Sequence, residues 1–192
     1  MSENKKDLLV LSLVGPSGAG KSTVLNSIKS RNNILEEKYM ELNKYKLDNR
    51  LVMSKWSYIN YWFDSIMQAK KRNVKLLITD RCPYDTCAYV SNNSDELFSI
   101  ISRSFNELKE LGIIVKTVLV TGEFEDLQTR IVARMKVEKQ REFYHESNIE
   151  HNLRAYNFFK SKEDNWDYII NTTNMTKDIV EEKINEIINQ IN

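Results

Sequence analysis

The sequence is poor in the features that mark secreted, membrane-bound or nucleic-acid-coating proteins. Its 192 residues include only two cysteines, Cys82 and Cys87. Two thiols cannot staple a domain of this size, which implies a reducing, cytoplasmic setting. Long hydrophobic runs are missing too. The stretch from Leu8 to Val14 contains Ser12 and ends far short of the ~20 apolar residues a spanning helix needs, and it is too short for a signal-peptide core, so neither a membrane nor secretion is expected. Charge of one sign is not in excess: 28 basic residues face 27 acidic ones, a formal net charge of +1. Proteins that coat nucleic acid concentrate positive charge to displace counterions, so nucleic acid is not an expected partner. The two histidines, His145 and His151, and the two cysteines have no zinc-ligand spacing.

Glycine and proline are scarce as well, and their placement is informative. Of five glycines, three (Gly15, Gly18 and Gly20) fall together with Pro16, one of the two prolines. The other proline, Pro83, follows an apolar run that ends in Asp80-Arg81. Elsewhere, short apolar runs alternate with longer stretches of helical periodicity. The runs are Leu8 to Val14, Ile34 to Leu42, Val74 to Thr79, Ile113 to Val120 and Tyr168 to Asn171, each suited to a strand buried on both faces. The second run is interrupted by Glu36, Glu37 and Lys38. Between the runs, Val52, Trp56, Ile59, Phe63 and Ile66 make one apolar stripe. Leu97, Ile101, Phe105, Leu108 and Leu111 make another, closed by Gly112. A last stripe runs from Val180 to Ile191. This alternation predicts an α/β, three-layer fold: a parallel sheet of about five strands with helices on both faces, in one domain over residues 1–192. Ligands bind such sheets beyond the carboxyl ends of the strands.

The glycine cluster lies there. Gly15-Pro16-Ser17-Gly18-Ala19-Gly20-Lys21-Ser22 satisfies G-x-x-x-x-G-K-[ST], between a strand-like and a helix-like segment. Glycines let successive N–H groups turn inward as an anion nest at a helix N-terminus. Lys21 brings a mobile cation to the β- and γ-phosphates, and the Ser22 hydroxyl suits Mg²⁺. Thr23 and Ser17 are secondary contacts. The pattern therefore predicts a nucleoside-triphosphate site. Neither motif of a switch GTPase, [NT]-K-x-D or D-x-x-G, follows the loop.

Two further signals fit phosphoryl transfer. Asp80 ends a buried strand, where a carboxylate approaches the Mg²⁺ shell. Arg81 follows it with a planar fork suited to phosphate oxygens. Beyond the fourth strand, Arg130 and Arg134 share a helix face and precede Lys136, Lys139 and Arg141. A lid over about 130–150 would carry these cations onto the triphosphate.

Together these segments resemble the thymidylate kinase and deoxynucleoside kinase group of P-loop phosphotransferases, over Leu8 to about Phe159. Asp80-Arg81 with Ala88-Tyr89 resembles the thymidylate kinase pattern D-R-Y-x-x-S-x-x-A-Y, with Cys82 and Asp85 in place of its Tyr and Ser. Arg154-Ala155-Tyr156 resembles the end of that family's lid, and the Trp56 to Tyr61 stretch the aromatic helix of deoxynucleoside kinases. The E-P-G-G sequence of thymidylate kinases is missing, and Leu42 stands where deoxynucleoside kinases have Pro after their strand-end Glu. The resemblance implies ATP and Mg²⁺ as cofactors, Lys21, Arg81 and Arg134 as catalytic groups, and Ser22 and Asp80 as metal ligands. It further implies Arg130 stacked on adenine beside the loop that holds Thr172, and Glu41 as the strand-end acid. The acceptor would be a nucleoside, with Glu41 as general base, or a nucleoside monophosphate, with Arg50 as the extra cation. Its site would lie in the helical region 43–72, where Tyr58, Tyr61 and Trp62 are off the apolar stripe and free to stack on a base. A kinase of another small metabolite and a nucleotide-binding regulator without turnover are the competing functions. A homodimer is compatible with such a domain.

Overall fold

The computed structural model describes residues 7–48 and 50–191. In chain order the elements are β1 (Leu8–Val14), α1 (Lys21–Ile28), β2 (Ile34–Leu35), α2 (Tyr39–Leu42), α3 (Trp56–Lys71), β3 (Leu76–Asp80), α4 (Pro83–Cys87), α5 (Ser94–Glu110), β4 (Ile113–Thr121), α6 (Phe124–Met135), α7 (Ile149–Ser161), β5 (Tyr168–Asn171) and α8 (Lys177–Ile191). The five strands form one all-parallel sheet in the order β2-β3-β1-β4-β5.

β1 is buried on both sides because its alternate residues serve two cores. Leu8, Val10 and Val14 face a cluster built with α3 and α5, while Leu11 and Leu13 face one built with α1, α6 and α8. Helices therefore cover both faces of the sheet, the three-layer arrangement that the alternating pattern predicts. Gly112 ends α5 with a positive φ of 68°, and its N–H donates to Lys109 O at 3.0 Å. No described helix is long and apolar enough to cross a membrane.

Two expectations need correction. The second apolar run forms a strand only over Ile34–Leu35, because the charged residues that follow cannot continue a buried edge, and Tyr39–Leu42 is a short helix. The buried face of α3 is also rotated from the expected stripe. Tyr58, Ile59, Trp62, Ile66 and Ala69 are buried, whereas Trp56 at the first helical position is exposed. Trp62 is core rather than a base-stacking residue: its ring stacks on Phe105 with centroids 5.3 Å apart.

Parallel pairing aligns the strand ends that matter. Leu13 is in register with Asp80, and Leu35 with Thr79, so the segments that follow β1, β2 and β3 emerge side by side.

Candidate active site

The segment after β1 is packed too closely for side chains. A Cβ on Gly15 would lie 2.1 Å from Val120 O, and one on Gly18 would lie 2.6 Å from Leu127 O; both residues have positive φ. The loop delivers the chain to the N-terminus of α1, whose first turn contains no acidic residue and no side-chain cap among the described residues. Its N–H groups and dipole therefore face an anion. Lys21 is buried, and its Nζ donates to Gly15 O at 2.7 Å and Pro16 O at 2.9 Å. Burial, reinforced by Arg81, lowers the Lys21 ammonium to about 7. Ser22 Oγ donates to Asp80 Oδ2 at 2.6 Å, which joins the two residues expected at the metal. Asp80 Oδ1 is buried without a hydrogen-bond partner among the described residues. Ser17 and Ala19 are buried within the loop, while Thr23 is exposed on α1.

Arg81 follows β3 in the left-handed region, φ 70°, uncommon for a residue with a branched-off side chain. Several contacts hold it there. Its N–H donates to Leu13 O at 3.0 Å, and Thr79 Oγ1 donates to its carbonyl at 2.8 Å. The guanidinium donates to Gly15 O at 3.3 Å and to Asp85 Oδ1 at 3.0 Å. Asp85 is only 2% exposed, and it also accepts from Gly15 N at 3.2 Å and Cys82 N at 3.0 Å. Burial raises its carboxyl, opposed by the Arg81 and Lys21 cations. One carboxylate thus ties the phosphate loop, the start of α4 and the arginine together.

Beside this junction lies an open cleft lined by Ser17, Arg81 and Asp85 together with Tyr39, Met40, Lys55, Tyr58 and Tyr144. Its acid is Glu37. Glu41 sits in α2, exposed and outside the lining, because β2 ends six residues earlier than the expected strand-end acid requires. Glu37 Oε1 accepts from Tyr39 N at 2.5 Å, and burial raises its carboxyl against the lowering field of Arg81. Arg50 is exposed, bonded to Asp48 and outside this lining. Of the aromatics expected to stack on a base, Tyr58 lines the cleft and Tyr61 does not.

Arg130 and Arg134 both project from α6. Arg130 donates to Thr172 Oγ1 at 3.0 Å and to Thr172 O at 3.2 Å, so the two residues expected around adenine meet. Arg134 Nη2 donates to Glu146 Oε2 at 2.5 Å, and Arg141 Nη1 donates to Glu146 Oε1 at 3.0 Å. Ser17 Oγ also reaches Glu146 Oε1, at 3.5 Å. The sequence-based reasoning missed Glu37, Lys55 and Glu146 and did not weigh Asp85 as a functional group. Glu37 was findable, since it lies two residues past Leu35, where charged residues interrupt its apolar run. Nothing local in the sequence marks the others.

No protein-family model matches the sequence, nor does any curated protein. Solved structures do. Deoxyadenosine kinase from M. mycoides, with the products dCMP and dCDP, is 17% identical with a TM-score of 0.62, covering 94% of this chain and 99% of that one. Thymidylate kinase from Candida albicans is 13% identical with a TM-score of 0.64, covering 96% and 92%. The YorR protein of Bacillus subtilis, in complex with phosphorylated GDP, is 15% identical with a TM-score of 0.59, covering 94% and 95%. The chain therefore has the fold of P-loop nucleoside and nucleotide kinases.

Proposed function

We propose that the protein is an ATP-dependent kinase that phosphorylates the 5′-hydroxyl of a nucleoside. The observation that carries this reading is the meeting of Glu37, Arg81 and the P-loop residue Ser17 on the wall of one cleft at the carboxyl ends of the strands. Phosphoryl transfer needs little covalent help, so these groups act mainly by positioning and charge. Glu37 accepts the hydroxyl proton as that oxygen bonds the γ-phosphorus and the bond to the β,γ-bridging oxygen breaks, releasing ADP. Lys21, Arg81 and Arg134 stabilise charge on the moving phosphoryl group. Arg130 and the Thr172 loop take the adenine end of ATP.

The metal ligands implied for this fold family fit the residues present. Ser22 Oγ and the Asp80 carboxylate are hard oxygen donors, and Asp80 Oδ1 is buried with no hydrogen-bond partner among the described residues. Mg²⁺ bound there supplies charge neutralisation for the β- and γ-phosphates.

The charge of the cleft favours an uncharged acceptor over a monophosphate. Among its lining residues, Lys55, Arg81 and Arg141 are balanced by Glu37, Asp85 and Glu146. Arg50, the cation a monophosphate would recruit, lies elsewhere. A panel of nucleosides, monophosphates and other small alcohols, each incubated with ATP and Mg²⁺ and followed by ADP release, tests the assignment. Nucleoside-dependent release is the expected result, and Lys21→Ala should lower its rate by at least about two orders of magnitude through lost phosphate stabilisation. Monophosphate-only release would move the acceptor. Tight ATP binding with no acceptor-dependent release would leave a nucleotide-binding regulator in its place.

A further inference from the structure

Lys55 closes the one-turn helix Val52–Lys55 just before α3 and is 2% exposed, on the wall of the acceptor cleft. Among the described residues it has no carboxylate at ion-pair distance; its one hydrogen bond is to Tyr39 Oη, 3.0 Å away. Two ring faces also lie near its nitrogen, with the Tyr39 centroid at 4.6 Å and the Tyr89 centroid at 5.9 Å. A buried ammonium with a single partner is costly unless something else accepts its protons.

The direction of the hydrogen-bond chain shows what that something must be. Leu51 O can only accept, so Ser54 Oγ donates to it, at 2.7 Å. Ser54 Oγ then accepts from the Tyr39 hydroxyl, at 3.1 Å, which leaves a lone pair of Tyr39 Oη for Lys55. One lysine proton is thereby spent on the wall. Two remain, and all that an ammonium offers is donors. Its complement is a group that only accepts.

Resting on the nucleoside-kinase reading, we infer that Lys55 selects acceptors whose base carries a carbonyl oxygen, a 6-oxopurine or a 4-oxopyrimidine, over the matching 6-amino or 4-amino bases. With the reacting hydroxyl set against Glu37 and Arg81, the base is placed against Tyr39, Met40, Tyr58 and Tyr144 of the same lining, where flat ring faces meet it. Lys55 meets its edge there. A 6-oxopurine presents O6 beside N7, two adjacent acceptors that match the two free protons. An adenine places its N6–H₂ donor against them. The same contrast separates uracil from cytosine. Phosphate recognition does not need Lys55, because the P-loop, Arg81 and the lid arginines already supply cations at the transferring end.

Inosine and adenosine, and uridine and cytidine, in ribo and deoxy forms, differ in that exocyclic group and test the inference directly. Binding by calorimetry and KM from ADP release should favour the oxo member of each pair by at least about tenfold in the unaltered protein. Lys55→Met should bring that ratio to within about twofold of unity, by weakening the oxo member, and Lys55→Gln, whose amide both donates and accepts, should do the same in a folded protein. Equal or amino-favouring affinities in the unaltered protein, or a preference that survives both substitutions, would overturn the inference. So would a Lys55→Met effect confined to 5′-monophosphates, which would make the lysine a phosphate ligand. Oxo-selective binding without ADP release would instead sink the kinase reading and support this one, while binding of no nucleoside at all would sink both.

Discussion

Two carboxylates hold arginines at the two sides of the cleft, and they are built differently. Asp85 stands on the sheet side, almost wholly buried, accepting from two backbone N–H groups as well as from Arg81. Glu146 lies between the short helical segment Lys139–Tyr144 and α7, and accepts from Arg134 and Arg141 with a long contact from Ser17. Arg81 is fixed by backbone contacts from β1 and by Thr79 whatever occupies the cleft. The guanidinium groups of Arg134 and Arg141 are held by carboxylate side chains instead, Arg134 by Glu146 and Arg141 by Glu146 and Glu138. The first pair is architecture; under the proposed function the second is an exchangeable contact that an incoming triphosphate would compete for.

The sharpest way to break that contrast is Asp85→Ala. It leaves the Arg81 charge buried beside Lys21 and removes the acceptor of two N–H groups. Loss of one partner of a buried pair typically costs about 3–5 kcal/mol, and that is the expected drop in unfolding free energy in urea. A loss below about 1 kcal/mol would place Asp85 with Glu146, as an exchangeable partner.

The two sides also differ in how far the sequence discloses them. The P-loop, β1 and β5 and the glycine end of α5 follow from local spacing, because backbone geometry over a few residues dictates them, and the Ser22–Asp80 pairing follows from the shared metal role of two motifs 58 residues apart. Arg130 meeting Thr172 was implied by family likeness. The acceptor side was not legible to the same depth. Whether Glu37 or Glu41 ends β2 depends on how far an edge strand pairs, and that pairing stops at Leu35. Asp85 meets a residue 70 positions away, and Glu146 meets Ser17 across 129 positions. Periodicity carries no trace of such contacts. Trp62 shows the same limit within a helix, since an N-terminus fixed by packing rotates the stripe away from the simplest apolar register.

On the acceptor side the next largest effect belongs to Glu37→Gln. With a nucleoside acceptor, kcat/KM should fall at least about 100-fold while nucleoside affinity stays within a few-fold, because a general base acts in the transition state. Its pH profile sharpens the test. Burial raises the Glu37 carboxyl above its ordinary value of 4.5, and only the deprotonated form accepts a proton. Activity should therefore rise with pH through an acid limb above the usual carboxylate range, and Glu37→Gln should erase that limb. An unchanged limb would assign the base elsewhere.

Lys55 gives a smaller, thermodynamic effect of opposite sign. Burial, then the Arg81 charge, lowers its ammonium from 10.5 to about 7, against smaller raising fields from Asp48, Cys87 and Glu37. In the window between those values the unfolded chain binds the extra proton, so stability rises with pH across it and the full destabilisation is present below about 7. Lys55→Met removes that charge. At pH 6.5 its Tm should exceed that of the unaltered protein by at least about 3 °C, the shift that about 1 kcal/mol produces in a chain of this length. The gain should shrink as the pH is raised. A lower Tm at every pH would mean that the lysine is satisfied in the folded protein without a ligand.

Glu146→Gln should have the least effect on the fold and the most selective effect on ATP. The Arg134 and Glu146 side chains are 30% and 12% exposed, so water screens part of their attraction. Partly exposed ion pairs contribute about 0.2–1 kcal/mol, and unfolding in urea should change by no more than that, well below the Asp85→Ala loss. The direction of the ATP effect is what separates exchange from architecture. If the phosphates of ATP take over Arg134 and Arg141, then weakening their grip on residue 146 removes a competitor, and KM for ATP should fall by about two- to fivefold, the equivalent of the same interaction energy. If Glu146 instead positions the arginines for ATP, its loss scatters them and KM rises. A rise in KM would make both carboxylates part of the frame.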